Sequence, residues 1–436
     1  MGAERAAAAS SVRGHRQLQL LIIMTTMTMK VVTAVLAVSV TAACSGFDRL
    51  LSVQTPSRLA EESYLVPANA ALISSSAVAD YECALGGYAV ASGMAAGELF
   101  DATQTAARWS YDRRNILAVD ATYATATCEG IGVFTPINTA RYTNDQAVTK
   151  LEEWSDAQVP NRQRMIALNS AIAGFSLVLL GEGFCSGTIN VGATLTPTQL
   201  FDSAEVRFTK AITAATTAND AAILNLAYAG RARARINKAN KPGAAEDAAR
   251  VPVAFVYNAT SDATVGRRNN RMFQQNNQSF SVTIATAYRT LNDPRVSLTN
   301  QNRLASDQVN QLWTQNKFTS LTASYPIASG IESQLILAEA RGGAEGIAIL
   351  NALRARTGVA LPALTAQETA NFNEAVAEER RRELFLQGNR WFDVRRFNPT
   401  LVPTTGTAYA KGGVYGDQRC WPLPDAEVLA NPNARG

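Results

Sequence analysis

Histidine is almost absent from this 436-residue sequence, in which His15 is the only one. Residues 16–436 therefore lack the base of a Ser-His-Asp or Cys-His catalytic arrangement and the imidazole ligands of a metal site. Hydrolysis by a pair of carboxylates needs no histidine and remains open. Charged residues are also few, at 17%, against 47% apolar residues, which indicates a globular chain rather than a disordered one.

The sequence also has little net charge. Its formal charge of +4 comes largely from residues 1–43, which carry four basic residues and one acidic residue. The rest of the chain is close to neutral. Because nucleic-acid binding depends on a basic surface, we do not expect this chain to bind nucleic acid.

The N-terminus has the features of an export signal. Lys30 precedes a run of mostly apolar residues, Val31–Val40, that is too short to span a bilayer. The small residues Thr41-Ala-Ala then lead to a cysteine, a pattern that resembles a lipobox. We therefore expect residues 1–43 to be a signal peptide.

Cys44 is the residue that a lipobox would make the lipid-bearing N-terminus. Residues 44–63 are mixed in composition and rich in turn formers, which favours a lipidated tether ahead of the first helix. The residues before Met29 resemble an upstream-start extension. The alternative is plain cleavage near Ala43, with Cys44 an ordinary cysteine.

The other four cysteines are Cys83, Cys128, Cys185 and Cys420. An even number in an exported chain permits two disulfides. Three pairings are possible and the sequence does not choose among them; four buried thiols are the alternative. No C-x-x-C spacing points to a metal or redox site, so we expect neither a metal nor a cofactor.

Helical periodicity dominates the chain. Residues 160–260 contain successive apolar helices that resemble tetratricopeptide-like helix pairs, one of them capped by Thr196. They show no clean 34-residue period, so ordinary helical packing is the alternative. Two further helices are predicted over Asn69–Met94, interrupted at Gly86-Gly87, and over Thr365–Leu386.

Residues 258–330 differ from this pattern. Arg267–Ser279 is rich in glutamine and asparagine, and we predict an irregular segment there. Loop-rich insertions on rigid scaffolds often carry function. The fold class expected from the sequence is therefore mainly α-helical with an irregular, loop-rich region.

A charged motif near the C-terminus invites a catalytic interpretation. Glu379 and Glu383 lie four residues apart on one helical face, and arginines surround them. The density of opposite charges favours a network of ion pairs that locks the helix to the following turn. We assign these structural positions to Glu379, Arg380, Glu383, Gly388, Arg390, Trp391, Asp393 and Trp421.

This motif resembles the C-terminal region of the SusD/RagB family. The matching residues run from Glu379 to Arg396, and Leu350–Arg356 and the final Trp421–Asn433 match as well. Together with weaker matches they cover most of residues 290–433. The resemblance implies a SusD-like α-helical fold and a single domain over residues 64–433.

The resemblance also implies a function. Members of this family are surface lipoproteins of the outer membrane that bind oligosaccharides, sometimes peptides, and act with a SusC-like TonB-dependent receptor. On this interpretation the chain is not an enzyme. An exported glycoside hydrolase that uses carboxylates and a helical-repeat scaffold without a small ligand are the alternatives.

Sugar recognition needs flat aromatic faces against the ring C–H groups and planar polar side chains for the hydroxyls. The family motif marks the scaffold and transfers no ligand residue. We select aromatic and amide residues from the segments outside the predicted helix pairs. The candidates are Trp109, Tyr111, Tyr123, Tyr142, Trp313, Asn270 and Gln274. The alternative is that the aromatic residues pack in the core, as large aromatics mostly do, and that the amide residues belong to a solvated loop.

Overall fold

The structure is a computed structural model that describes residues 64–434. The predicted signal peptide (1–43), the predicted lipid site Cys44 and the tether (44–63) lie outside the described residues. The described chain is mainly α-helical, which confirms the predicted fold class.

Sixteen α-helices lie within residues 64–434. In chain order they are α1 (Ala70–Ala95), α2 (Ala106–Arg113), α3 (Ala121–Ala124), α4 (Phe134–Glu153), α5 (Arg162–Gly183), α6 (Pro197–Thr217), α7 (Ala221–Asn237), α8 (Lys241–Ala248), α9 (Arg271–Phe273), α10 (Thr286–Arg289), α11 (Gly330–Arg341), α12 (Gly343–Ala355), α13 (Ala366–Ala370), α14 (Phe372–Glu383), α15 (Arg390–Phe397) and α16 (Asp425–Ala430).

The described strands form three small antiparallel sheets, each of two strands. The strands are β1 (Leu99–Asp101), β2 (Val256–Ala259), β3 (Val282–Ile284), β4 (Leu298–Leu304), β5 (Gln311–Gln315) and β6 (Tyr325–Ser329). β1 pairs with β3, with Leu99 opposite Ile284. β2 pairs with β6, and β4 pairs with β5.

Helix α5 is the centre of the helical part. It is long and apolar enough to cross a membrane, but 89% of its most apolar window is buried inside the protein. It packs against α4, α6, α7 and α1, and α7 in turn packs against α8. A core helix with apolar residues on all sides needs such complete coverage.

One large hydrophobic cluster joins the helical part to the loop-rich region. It contains Phe175 and Phe208 from the helices together with Ile284 and Phe318 from the region of β3 to β6. The loop-rich region is therefore anchored in the same core as the helices.

The predicted helix caps form as local sequence rules require. Thr196 accepts a hydrogen bond from the backbone N–H of Gln199 (3.3 Å), and the Gln199 side chain accepts one from the N–H of Thr196 (2.8 Å). Thr365 and Glu368 form the same reciprocal arrangement at the start of α13. Each capping box satisfies two backbone donors at a helix start.

Two helix predictions and one prediction of an irregular segment are wrong in detail. α1 continues through Gly86-Gly87. A side chain at Gly87 would lie only 3.1 Å from the carbonyl oxygens of Cys128 and Gly132, so glycine allows close packing there and does not end the helix. The predicted Thr365–Leu386 helix is two helices, α13 and α14, separated at Asn371. The Arg267–Ser279 segment is not irregular: it contains α9 and a π-helical turn, Gln274–Gln278.

The cysteines form two disulfides, Cys83–Cys128 and Cys185–Cys420. The first ties α1 to the segment before α4. The second ties the end of α5 to the C-terminal segment. Glu129 lies beside the first pair, but both sulfur atoms are held in the disulfide, so this group of residues does not form a metal site.

Candidate functional site

The charged motif forms a buried network of ion pairs. Arg295 donates from Nη1 to Glu379 Oε2 (2.6 Å) and to Glu383 Oε1 (3.0 Å). Arg354 binds the other oxygen of Glu379 at 2.6 Å, and Arg356 binds Glu383 at 2.6 Å. Both carboxylates are saturated by arginine, so neither is placed to act as an acid or nucleophile in hydrolysis.

A second set of ion pairs locks α14 to α15. Arg380 Nε contacts Asp393 Oδ2 at 2.9 Å, and Arg396 Nη2 contacts Asp393 Oδ1 at 2.9 Å. Burial alone would raise the pKa of the Asp393 carboxyl, but the two arginines hold this pKa below its usual range. Gly388 makes the turn between the helices with a φ of 85°, a conformation that favours glycine.

Trp391 and Trp421 form the centre of the C-terminal part of the core. Their rings stack at 5.8 Å between centroids, and both side chains are buried. Trp391 Nε1 donates to the carbonyl oxygen of Gly183 (3.2 Å), which also accepts from the backbone N–H of Trp421 (2.9 Å). Trp391 and Trp421 therefore build the scaffold, where a ligand has no access to them.

Two of the predicted ligand aromatics also belong to the core. The Tyr111 hydroxyl donates to Ile131 O at 2.8 Å, and its ring packs edge-on against Trp421. The ring of Tyr123 stacks on Phe184 at 6.3 Å. Both tyrosines are at most 1% exposed, so the prediction that they face a ligand is wrong.

The predicted amide residues have mainly structural partners. Asn270 is buried; its Oδ1 accepts from the N–H of Phe273 (2.9 Å) and its Nδ2 donates to Ala323 O (2.9 Å). Its selection as a ligand residue is wrong, because both ends of its amide already have backbone partners. Gln274 is partly exposed and accepts a hydrogen bond from Arg271.

Tyr142 is the most exposed of the predicted aromatics, at 49%. It lies on α4 in the helical part, beside Arg141, whose guanidinium carbon is 5.8 Å from the ring centroid. The remaining two candidates are Trp109, on α2, and Trp313, on β5 in the loop-rich region.

Trp109 is partly exposed on α2 and is held from several sides. Its indole N–H donates to Thr103 O at 3.1 Å. Its ring lies 6.3 Å from that of Tyr409, and Lys411 Nζ is 5.4 Å from its centroid. Lys411 Nζ itself donates to Asp101 and to the carbonyl oxygen of Thr103, so the groups that contact the Trp109 ring are held in place.

Trp313 is partly exposed on β5 and lies opposite Asn300 of the exposed strand β4. Within residues 64–434 its indole N–H has no acceptor from the protein. The guanidinium carbon of Arg289 lies 5.9 Å from the ring centroid, and the Gln311 side chain is exposed two residues away. We call Arg289, Asn300, Gln311 and Trp313 the Trp313 surface.

The π-helical turn connects the segments of both tryptophans. Arg108, next to Trp109, donates to Gln275 Oε1 at 3.2 Å, and Asn276 Nδ2 donates to Trp313 O at 3.0 Å. Gln275 and Asn276 are both buried, whereas the side chains of a surface loop would be exposed to solvent. The Gln/Asn-rich sequence thus supports the surface from beneath.

Phe280 is an aromatic residue that the sequence reasoning missed. Its φ is 53°, which is strained for a bulky side chain, and the guanidinium carbon of Arg303 lies 4.4 Å from its ring centroid. Its place directly after the Gln/Asn-rich segment was the only available signal.

Two grooves of larger volume than a single side chain lie elsewhere on the described chain. One, of 610 Å³, runs between α1, α5 and β2 and is lined by Tyr257, Glu82, Arg164 and Arg268 among others. The other, of 780 Å³, is mainly apolar and lies between β2, α11 and α12. None of the sequence-predicted ligand residues lines either groove.

Comparison with known proteins gives one family. Residues 332–433 match the sequence model of the SusD family. This range contains the motif of buried ion pairs and both stacked tryptophans. No curated protein matches the sequence.

Solved structures match nearly the whole described chain. A SusD superfamily protein from Bacteroides vulgatus matches with a TM-score of 0.60 and 15% identity, covering 84% of this chain and 98% of that one. A Bacteroides fragilis SusD superfamily protein gives 0.63 and 13%, covering 85% and 99%. Bacteroides fragilis NanU gives 0.62 and 13%, covering 87% and 98%. At these identities the likeness concerns the fold: the described chain has the fold of SusD superfamily proteins, and its residues 332–433 are similar in sequence to the SusD family.

Proposed function

We propose that this protein binds glycans at the cell surface and that the Trp313 surface contacts the ligand. The observation that carries the site is the combination of a partly exposed indole ring, an indole N–H without an acceptor among residues 64–434 and exposed amide side chains beside it. The similarity of residues 332–433 to the SusD family supports the ligand class.

This surface has the chemistry that a sugar needs. The indole face can pack on the C–H groups of a pyranose ring, and its N–H can donate to a hydroxyl. Asn300 and Gln311 offer donors and acceptors at the ring edge, while Arg289 supplies further donors. An open surface of this kind suits a chain of sugar units better than a single enclosed sugar.

Binding without turnover is the second part of the proposal. The motif carboxylates that could have served as a hydrolytic pair, Glu379 and Glu383, are bound to arginines. Incubating the purified protein with oligosaccharides and analysing them by chromatography tests this part. Hydrolysis products would contradict it.

Two matched variants test the site. Trp313→Ala removes the ring of the Trp313 surface, and Tyr142→Ala removes an exposed ring from α4. Isothermal titration against a panel of neutral oligosaccharides should show affinity about tenfold weaker for the first variant and unchanged for the second. Thermal melting of both variants checks that they are folded.

The opposite result places the ligand on the helical part. If Tyr142→Ala weakens binding and Trp313→Ala does not, the Trp313 surface is excluded. If folded wild-type protein binds none of a broad set of glycans and binds peptides instead, the ligand class is wrong.

We further propose lipid attachment at Cys44 and delivery of ligand to a SusC-like TonB-dependent receptor. Both rest on the lipobox resemblance and the family. Mass spectrometry of the mature N-terminus tests the first, and an unmodified Cys44 contradicts it. Pull-down from detergent-solubilised outer membrane tests the second, and recovery of folded protein without such a receptor contradicts it.

A further inference from the structure

A small polar cavity lies where the loop after α1 meets α10, α14, α15 and the segment after α15. Its volume is 130 Å³. Gly97 and Val402 approach each other closely at one wall, where a side chain on Gly97 would lie 2.5 Å from Val402 O. The cavity can hold several waters or a small ion with waters.

Positive charge dominates the lining. The charged side chains around the cavity are those of Arg114, Arg381, Arg390 and Glu378. Glu378 is shared, since its carboxylate contacts Arg381 at 3.1 Å and also Arg382 at 3.2 Å. The lining of the cavity therefore contains three guanidinium groups and one carboxylate.

Several donors at this cavity are buried without a partner among residues 64–434. They are Arg390 Nε and Nη1, Arg381 Nε and the Tyr288 hydroxyl. Tyr288 is only 2% exposed, and Arg381 lies over its ring at 4.8 Å. Buried donors are normally satisfied, and a cluster that is not satisfied by protein indicates a bound water or ion.

Glu98, a buried carboxyl group outside the lining, does not neutralise this charge. Glu98 accepts the backbone N–H of Leu386 at Oε1 (3.1 Å), and no ion pair joins it to Arg390 within residues 64–434. Burial raises the pKa of the Glu98 carboxyl to about 7, although Arg390 acts to lower it. Arg390 is thus a guanidinium without a carboxylate partner.

We propose that this cavity binds a small oxyanion, held chiefly by Arg390 with Arg381 and the Tyr288 hydroxyl. Guanidinium groups bind such anions through paired N–H donors, and a phenol O–H adds one more hydrogen-bond donor. This site is separate from the Trp313 surface and does not depend on glycan binding.

The direct test uses labelled inorganic sulfate in equilibrium dialysis with the wild-type protein at low ionic strength in chloride buffer. We expect saturable binding of one sulfate per chain. Inorganic phosphate should compete, and acetate serves to test whether a carboxylate is accepted. Failure of folded wild-type protein to bind sulfate or phosphate saturably would overturn the proposal.

Two substitutions at Thr400 provide a matched pair. Thr400 lines the cavity and is exposed, so the fold tolerates changes there. Thr400→Asp brings a carboxylate to the arginines and should weaken sulfate binding about tenfold or more. Thr400→Asn has the same shape without the charge and should bind as the wild type does. Equal sulfate binding by the two variants would contradict the site.

A second pair tests the arginine itself. Arg390→Gln should abolish sulfate binding, whereas Arg303→Gln removes an exposed arginine near Phe280 and should leave binding unchanged. If Arg390→Gln folds and still binds sulfate like the wild type, the proposal is wrong. Should that variant fail to fold, the two Thr400 variants decide.

Discussion

At the scale of single residues, Glu98 is a carboxyl group buried in the core. Its side chain is 1% exposed, and Oε2 has no partner among residues 64–434. Burial raises the pKa of its carboxyl to about 7, against the smaller lowering effects of the Leu386 N–H and Arg390. Asp112, also buried, has its pKa raised to about 7 by the same cause. Around neutral pH both groups titrate in the folded protein.

The raised pKa of Glu98 predicts a pH dependence of stability. The unfolded carboxyl titrates near its ordinary pKa of 4.5, so between this pH and about 7 the folded state binds more protons. The free energy of unfolding should therefore fall as pH rises through this window, by up to roughly 3 kcal/mol for Glu98. Urea unfolding at pH 5 and pH 8 measures the change.

Glu98→Gln is the matched variant. The glutamine keeps the acceptor for the Leu386 N–H and cannot ionise, so the variant should be more stable than the wild type at pH 8 and similar to it near pH 4.5. Asp112 is still ionisable in this variant, so part of the pH dependence of the free energy of unfolding should remain. A variant with the same pH dependence as the wild type would show that Glu98 is not the group responsible.

At the scale of elements, two glycines allow three helices to pack closely around one phenylalanine ring. Gly230 on α7 faces Phe208 on α6, and a side chain at this position would lie 2.2 Å from Phe208 Cε1 and 2.8 Å from Phe175 Cζ. Gly174 on α5 meets the same Phe208 ring. The three helices thus share one aromatic contact made possible by two glycines.

Gly230→Ala should destabilise the protein. In an exposed helix this change adds about 1 kcal/mol of stability. Here the added carbon overpacks a rigid aromatic contact, which costs about 1–3 kcal/mol. Chemical unfolding should show a lower midpoint. Combining it with Phe208→Leu should cost less than the sum of the two changes, because leucine leaves room for the alanine. A Gly230→Ala variant that is more stable than wild type would refute the packing argument.

The elements that the sequence predicted are those fixed by local chemistry. Thr196 and Thr365 cap helices because their partners, Gln199 and Glu368, lie three residues away. Gly86-Gly87 misled the prediction because the carbonyl that requires glycine belongs to Cys128, a partner distant in sequence. Contacts of that kind leave no local signal.

The candidate site was predictable only in part for the same reason. Tyr111, Tyr123 and Trp313 look alike as aromatics in turn-rich sequence. Two of them are sealed by Trp421 and Phe184, and the third lies at a sheet of two strands. Burial is decided by the tertiary fold, so composition could select the residue type but not the surface.

At the scale of the whole molecule, the C-terminal segment returns to the first half of the chain. Cys420 is bonded to Cys185, and Trp421 follows directly into the core. Gln418 exchanges hydrogen bonds with the backbone of Ile116 at 2.7 Å. The disulfide, the hydrogen bonds and the buried Trp421 together hold the C-terminal segment against the first half of the chain.

The two disulfides should contribute unequally to stability. Cys185–Cys420 spans a sequence separation of 235 residues, and Cys83–Cys128 spans 45. In the chain-entropy account a disulfide that closes a longer loop restricts the unfolded chain more. For these two loop lengths the resulting contributions to the free energy of unfolding differ by about 1.5 kcal/mol. Removal of the longer link also frees the residue next to Trp421.

Replacing both cysteines of one pair by alanine gives two comparable variants. We expect each to be less stable than the wild type by about 2–5 kcal/mol, with the Cys185→Ala/Cys420→Ala variant the less stable of the two. Urea unfolding under non-reducing conditions measures both on one scale. Cys83 and Cys128 are buried, whereas Cys185 is exposed and Cys420 is half-buried, so the lost packing alone would favour the opposite order. A greater loss of stability in the Cys185→Ala/Cys420→Ala variant would therefore report the loop. If removing Cys83–Cys128 costs more, the C-terminal segment is held by Trp421 and its hydrogen bonds rather than by its disulfide.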